Sequence, residues 1–205
     1  MLYSKELMEA NYLTRHPRIK DAFQFGIFIL LVAIGTILIN AFVFRSFSVL
    51  GPSMESTMYT GDRLIVNRIP VTMAQLKNQP YTPERGQIIV FKNPRYVAGE
   101  PDEYIVKRVI AFAGERVTVK DGVVTVYNAA HTDGFRPDDA TKGPGSPTSG
   151  EVDMTVPDGT LFVCGDHRQG NYSYDSRSGL GTIPLFDVIG PVSARIWPLT
   201  SITFY

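Results

Sequence analysis

From Ala22 to Phe44 the sequence runs 23 residues without a charge: AFQFGIFILLVAIGTILINAFVF. At 1.5 Å per residue, a helix of that length spans about 35 Å, enough to cross a hydrocarbon core of about 30 Å with some tilt. Gln24, Thr36 and Asn40 are tolerable there because a helix satisfies its own backbone. A buried core helix is the other way to hide such a run, but no other stretch is helix-rich enough to surround it. A cleaved signal peptide has an apolar region of only about 7–15 residues, followed by a small-x-small cleavage site. Here the run is longer, and Arg45-Ser46-Phe47-Ser48-Val49-Leu50 follows it. An uncleaved signal-anchor is therefore expected. Lys5, Arg15, Arg18 and Lys20 precede the run, and Arg45 and Arg63 are the next basic residues after it. The positive-inside bias then places residues 1–21 in the cytoplasm, 22–44 across the cell membrane as a single span, and 45–205 outside.

The remaining composition narrows the chemistry. The chain has 20 Lys+Arg and 20 Asp+Glu, a net charge of zero, which argues against a nucleic-acid partner held by bulk charge. Apolar residues make up 44% and charged residues 20%, so the chain is not mainly disordered. The single cysteine, Cys164, permits neither an intrachain disulfide nor a Cys-rich zinc site. The three histidines, His16, His131 and His167, are scattered and form no helical metal pair. No metal and no organic cofactor is expected.

After Phe44 the pattern becomes strand-like. Short Val/Ile/Phe/Thr-rich runs stand near Arg63–Arg68, Gln87–Lys92, Tyr104–Phe112, Arg116–Lys120, Val123–Tyr127, Thr160–Cys164 and Val188–Trp197. Asp121-Gly122 predicts a hairpin turn, because those two residues accept the positive φ that a tight turn needs. Residues 128–150 hold a Pro/Gly/Asp/Ser/Thr cluster and read as a long loop or small excursion. One weak helical segment lies near Val71–Asn78. The fold class expected is mainly β: one N-terminal transmembrane helix, then an all-β domain, a barrel or sandwich, with a loop or hairpin insertion.

A Ser-His-Asp set is hard to assemble. His16 precedes the span, His131 sits in the 128–150 loop, and His167 reads as an exposed loop residue. Lysine is the other base, provided that burial disfavours its charged form. In Tyr104-Ile105-Val106-Lys107-Arg108-Val109-Ile110-Ala111, strand alternation puts Lys107 on the face of Ile105, Val109 and Ala111, and Arg108 on the opposite one. Gly51-Pro52-Ser53-Met54 is a tight turn directly after the strand-like Phe47–Leu50, and such a turn can present a hydroxyl beside free backbone N–H groups. From spacing alone, a solvated strand lysine and a structural Gly-Pro-Ser turn remain open readings.

The ordered set changes that balance. A membrane anchor is followed by Gly51-Pro52-Ser53-Met54-x-x-Thr57, Gly61-Asp62, Lys107-Arg108-Val109-Ile110, Gly165-Asp166 and Ser173-x-Asp175-Ser176-Arg177. This order resembles the type I signal peptidases, membrane-bound Ser-Lys endopeptidases, from the anchor to Trp197-Pro198-Leu199. The resemblance implies Ser53 as nucleophile and Lys107 as general base. It implies Met54 and Val106 as substrate-binding residues, with the Ser53 N–H in the oxyanion hole. Ser173 matches the hydroxyl that orients the lysine. Gly61 and Asp62 match a box that shapes the site, and Asp175 and Arg177 a supporting ion pair.

The substrates implied are signal peptides of secreted preproteins, cut after small residues as in Ala-x-Ala at the outer face of the bilayer, with the secretion translocon as a further partner. Ser53 lies nine residues past Phe44, at most about 30 Å along an extended chain. The sequence departs from the family pattern in four places. Ser56 stands where proline is usual, and Ala111-Phe112-Ala113-Gly114-Glu115 replaces Gly-x-Pro-Gly-Asp. His167 replaces asparagine, and two extra residues precede Ser173, so counting from Gly165 would select Asn171 instead. Three other readings carry less. A self-cleaving Ser-Lys repressor-type peptidase would be soluble with a DNA-binding segment. A catalytically weak relative would serve assembly of exported surface proteins. A plain membrane-tethered β-domain leaves the ordered boxes unexplained.

Overall fold

The computed structural model describes residues 16–100, 103–140 and 147–205, in two compact units, Met1–Ala41 and Phe42–Tyr205. Lys5 and Arg15 of the basic flank lie outside the described residues. The first unit holds helix α1, Pro17–Phe42, with proline in its first turn, where the missing N–H costs nothing. None of its residues is buried, and it is long and apolar enough to cross a membrane. The Thr36 hydroxyl donates to the Val32 carbonyl at 2.8 Å, which satisfies it within the helix. The helix differs from the uncharged run at both ends. It starts in the charged stretch at Pro17 and stops at Phe42, because Phe44 is already the first residue of a strand.

The second unit is mainly β. Its elements are β1 Phe44–Ser48, β2 Arg63–Asn67, α2 Ile69–Leu76, β3 Ile88–Lys92, β4 Tyr104–Phe112, β5 Arg116–Lys120 and β6 Val123–Asn128. Then follow β7 His131–Phe135, β8 Val152–Thr155, β9 Thr160–Cys164, β10 Ile183–Pro184, β11 Val188–Trp197 and β12 Thr203–Phe204. One sheet runs β1-β2-β11-β3-β4-β9-β10, with β12 paired to β11; a second runs β7-β6-β5-β8. All pairs are antiparallel. β11 pairs β3 through its first half and β2 through its second. Gly190 permits the crossing: a Cβ there would lie 2.3 Å from the Asn67 carbonyl oxygen.

Three apolar clusters fill the unit. Ile88 and Val90 of β3 face one cluster, and Ile89 and Phe91 face another, so the run Ile-Ile-Val-Phe is buried on both sides. The third cluster packs Val117, Val119, Val124 and Val126 of the hairpin against Phe162 and Cys164 of β9. The hairpin turn has φ +51° at Asp121 and +78° at Gly122. The excursion is more ordered than its composition implied. β7 and the 3-10 turn Pro137–Ala140 occupy part of 128–150, β7 pairing with β6.

Candidate active site

Ser53 sits in a loop closed at its base. The Val49 N–H donates to the Asp62 carbonyl at 2.9 Å, and the Gly61 N–H to the Val49 carbonyl at 3.0 Å. Gly61 has φ +96°, a conformation that favours glycine, and Asp62 is buried. The Asp62 carboxylate accepts the Tyr59 N–H at 2.9 Å and an Arg195 N–H at 3.0 Å. Inside the loop the chain turns helically, the Glu55 N–H donating to Pro52 O and the Met58 N–H to Met54 O. Met54 and Met58 are fully buried in the cluster beneath. Ser53 itself is half-buried, so its hydroxyl stands at the surface of a fixed turn.

Lys107 comes from the middle of β4, opposite Ile89 of β3, and is 3% exposed. Its amine lies 2.7 Å from Ser53 Oγ and 2.9 Å from the Val106 carbonyl oxygen. The expected face is right for Ile105 and Val109, which share a cluster. It is wrong for Ala111. The register of β4 against β9 shifts between Val109 and Ala111, and that bulge turns Ile110 and Ala111 together into another cluster. Arg108 points the other way, as expected, and is buried. Its guanidinium donates to both oxygens of Asp166, and the Thr57 hydroxyl donates to the same carboxylate at 2.5 Å. The Ser53 loop and the Gly165-Asp166 box are thereby tied to β4.

Behind Ser53 and Lys107, Gly165 has no room for a side chain. A Cβ there would lie 2.1 Å from Ser173 Oγ and 2.3 Å from the Ser53 carbonyl oxygen. Ser173, 7% exposed, therefore lies just across Gly165 from the Ser53 backbone, whereas Asn171 is exposed. The Ser173 hydroxyl donates to Asp175 Oδ2 at 2.6 Å, and the Gly165 N–H donates to the same oxygen at 2.8 Å. Arg177 closes a two-point ion pair on Asp175. Burial pushes the Asp175 carboxyl up, but Arg177, the Gly165 N–H and the Ser173 hydroxyl together hold it below the usual carboxylate range.

A cleft of about 610 Å³ opens beside Ser53. The chain at 47–53 forms one wall and residues 104–107 of β4 the other, with Leu64 and Val90 also lining it. Val106 lines it, as expected. Met54 does not: its side chain is fully buried below, where it supports the loop instead of facing a ligand. Tyr172 and Tyr174 also line the cleft, and sequence reasoning passed over both. The Tyr172 ring stacks on His167 at 4.4 Å.

His167 is more engaged than a loop histidine. Its N–H donates to the Ser53 carbonyl at 3.0 Å, and its Nδ1 lies 3.2 Å from the Pro52 carbonyl oxygen. Among the described residues no group accepts the Ser53 N–H, which leaves it available to a ligand oxygen. No cluster of His, Cys, Asp or Glu among the described residues is arranged to hold a metal ion. One further departure has local partners. Glu115, where aspartate is usual, accepts the Phe112 N–H at 2.9 Å while paired to Arg85. Trp197 is 55% exposed and lies outside the three apolar clusters.

The family model described as signal peptidase, peptidase S26, matches residues 21–197. The chain is similar to a signal peptidase I of Bacillus licheniformis, 29% identical over 177 residues, covering 85% of this chain and 88% of that one. It is similar to a signal peptidase IB of Staphylococcus aureus, 27% identical over 196 residues, covering 90% and 94%. Among solved structures, a signal peptidase I from Enterococcus faecalis aligns at 25% identity over 54% of this chain and 96% of that one, with a TM-score of 0.36.

Proposed function

The chain belongs to the signal peptidase family, peptidase S26, and from that membership we propose that it removes signal peptides by a Ser53–Lys107 dyad. The observation that carries the dyad is the 2.7 Å contact between the Lys107 amine and Ser53 Oγ, made by a lysine almost wholly out of water. Lys107 takes the hydroxyl proton as Ser53 Oγ attacks the scissile carbonyl. The oxyanion that forms is met by the Ser53 N–H. Protonated Lys107 then gives its proton to the leaving amine, and the acyl-enzyme is hydrolysed by a water from which Lys107 takes a proton. Ser173, fixed by Asp175, orients the lysine, and the Asp175–Arg177 pair holds that hydroxyl in place.

The substrate binds extended in the cleft, between the chain after β1 and the start of β4, with Val106 in its wall. Phe47, Val49, Leu64, Val90 and Val106 give the cleft apolar lining, and the residues it accepts before the cut are small, as in Ala-x-Ala. Helix α1 spans the cell membrane, with Arg18 and Lys20 on the cytoplasmic side and the catalytic unit outside. Full-length enzyme, reconstituted and given a preprotein, tests the dyad. Ser53→Ala and Lys107→Ala should each lose about 10³-fold or more in cleavage rate. Wild-type cleavage by either variant would overturn the assignment.

A further inference from the structure

β1 and β2 pair so that Arg45 faces Val66 and Phe44 faces Asn67, and the Arg68 N–H donates to the Val43 carbonyl at 2.8 Å. Alternation puts Arg45 and Arg68 on one face of the sheet as diagonal neighbours. Such positions lie about 7–8 Å apart, within reach of long side chains. The Arg45 guanidinium lies 5.0 Å from the centre of the Phe47 ring and 4.5 Å from that of Tyr104, two residues that line the cleft. Among the described residues neither arginine forms an ion pair with a carboxylate. Arg68 Nε is the buried side-chain nitrogen left without a hydrogen-bond partner. Burial, and then the Arg45 charge, push the Arg68 pKa down. Two guanidiniums side by side repel, and an oxyanion between them reverses the sign.

Chain length says which oxyanion. Arg45 is the third residue after Phe42, where α1 ends. Three residues reach at most about 10 Å, and the headgroup layer on each side of the hydrocarbon core is about 5–7 Å thick. The Arg45 backbone therefore lies no more than a few Å beyond the headgroup layer however the rest of the unit is turned, so its long side chain stays within reach of the headgroups. We propose that Arg45 and Arg68 form a binding site for the phosphate of a membrane phospholipid, at the end of the substrate cleft lined by Phe47 and Tyr104. The proposal rests on the reading of α1 as a membrane span. The bound phosphate fixes β1, whose continuation carries Ser53, at the depth where a membrane-held substrate arrives.

The test uses the full chain. Flotation with phosphatidylglycerol vesicles first checks the span, and a chain that does not float sinks the span and this site together. Detergent-purified protein is then titrated with phosphatidylglycerol in mixed micelles, and retained lipid is counted by native mass spectrometry. Wild type should hold one lipid per chain; Arg45→Gln and Arg68→Gln should each bind about tenfold more weakly or worse. Arg63→Gln, which removes an exposed arginine at the far end of β2 from Arg68, should bind like wild type. Both Gln variants should melt at or above the wild-type temperature in lipid-free detergent, since repulsion is relieved. Equal retention by all variants in protein that floats overturns the site and leaves the span standing. Equal competition by inorganic phosphate overturns the lipid as ligand, as does a loss confined to KM for an acidic peptide.

Discussion

At the residue scale, the site depends on groups that lack alternatives. Gly165 is squeezed between Ser173 Oγ and the Ser53 carbonyl, so even a methyl group there displaces one of them. Asp175 contributes through its ionised form. Its folded pKa is depressed, so its stabilisation is complete above the ordinary aspartate range, near 3.9, and is lost as pH falls through the folded value. The stability gap between wild type and Asp175→Asn, measured by denaturant unfolding, should therefore be largest near neutrality and shrink below about pH 4. A gap that widens in acid would contradict the ion-pair account. Cys164 behaves oppositely: burial pushes its thiol up to about 12, with Asp175 adding to the shift. It should resist alkylation by a maleimide in native protein and react only on unfolding. Ser53, Lys107, Asp175 and Arg177 were singled out in the sequence by the ordered boxes that resemble the family's, not by spacing within any one box. His167 and Tyr172 were not legible, because their roles arise from a stacking contact and a backbone donor across 114 positions of chain, from Ser53 to His167.

At the scale of elements, the Val/Ile-rich strands were legible, whereas β1, β7, β8 and the two-residue β10 and β12 were not. β4, β5, β9 and β11 keep the bounds that their Val/Ile-rich runs gave them, because turn residues stand at the ends of those runs. β7 reads His-Thr-Asp-Gly-Phe, a turn-like composition, and becomes a strand because β6 offers it an edge. The bulge in β4 was invisible for the same reason: register is decided by the partner strand. The excursion also reaches the site. Arg168, next to His167, is buried and donates to both oxygens of Asp138 in the 3-10 turn at 2.6 and 2.7 Å, while its Nε holds the Gly165 carbonyl. Removing one partner of a buried pair strands the other, at about 3–5 kcal/mol. Asp138→Ala should lower unfolding stability by that order. A change below about 0.5 kcal/mol would mean that the turn is not a strut for the 165–168 loop.

At the scale of the whole molecule, the zero net charge averages over an apolar helix and a β-rich unit with separate tasks. In the proposed dyad, the fold takes Lys107 out of water and sets its amine beside the Ser53 hydroxyl. The most direct measurement of that pairing is covalent. Full-length enzyme is mixed with a slowly deacylating signal-peptide ester, quenched in acid, and mapped by mass spectrometry. The account predicts one acyl adduct, on Ser53, absent from Ser53→Ala and strongly reduced in Lys107→Ala. An adduct on another residue, or full acylation of Ser53 without Lys107, would contradict it.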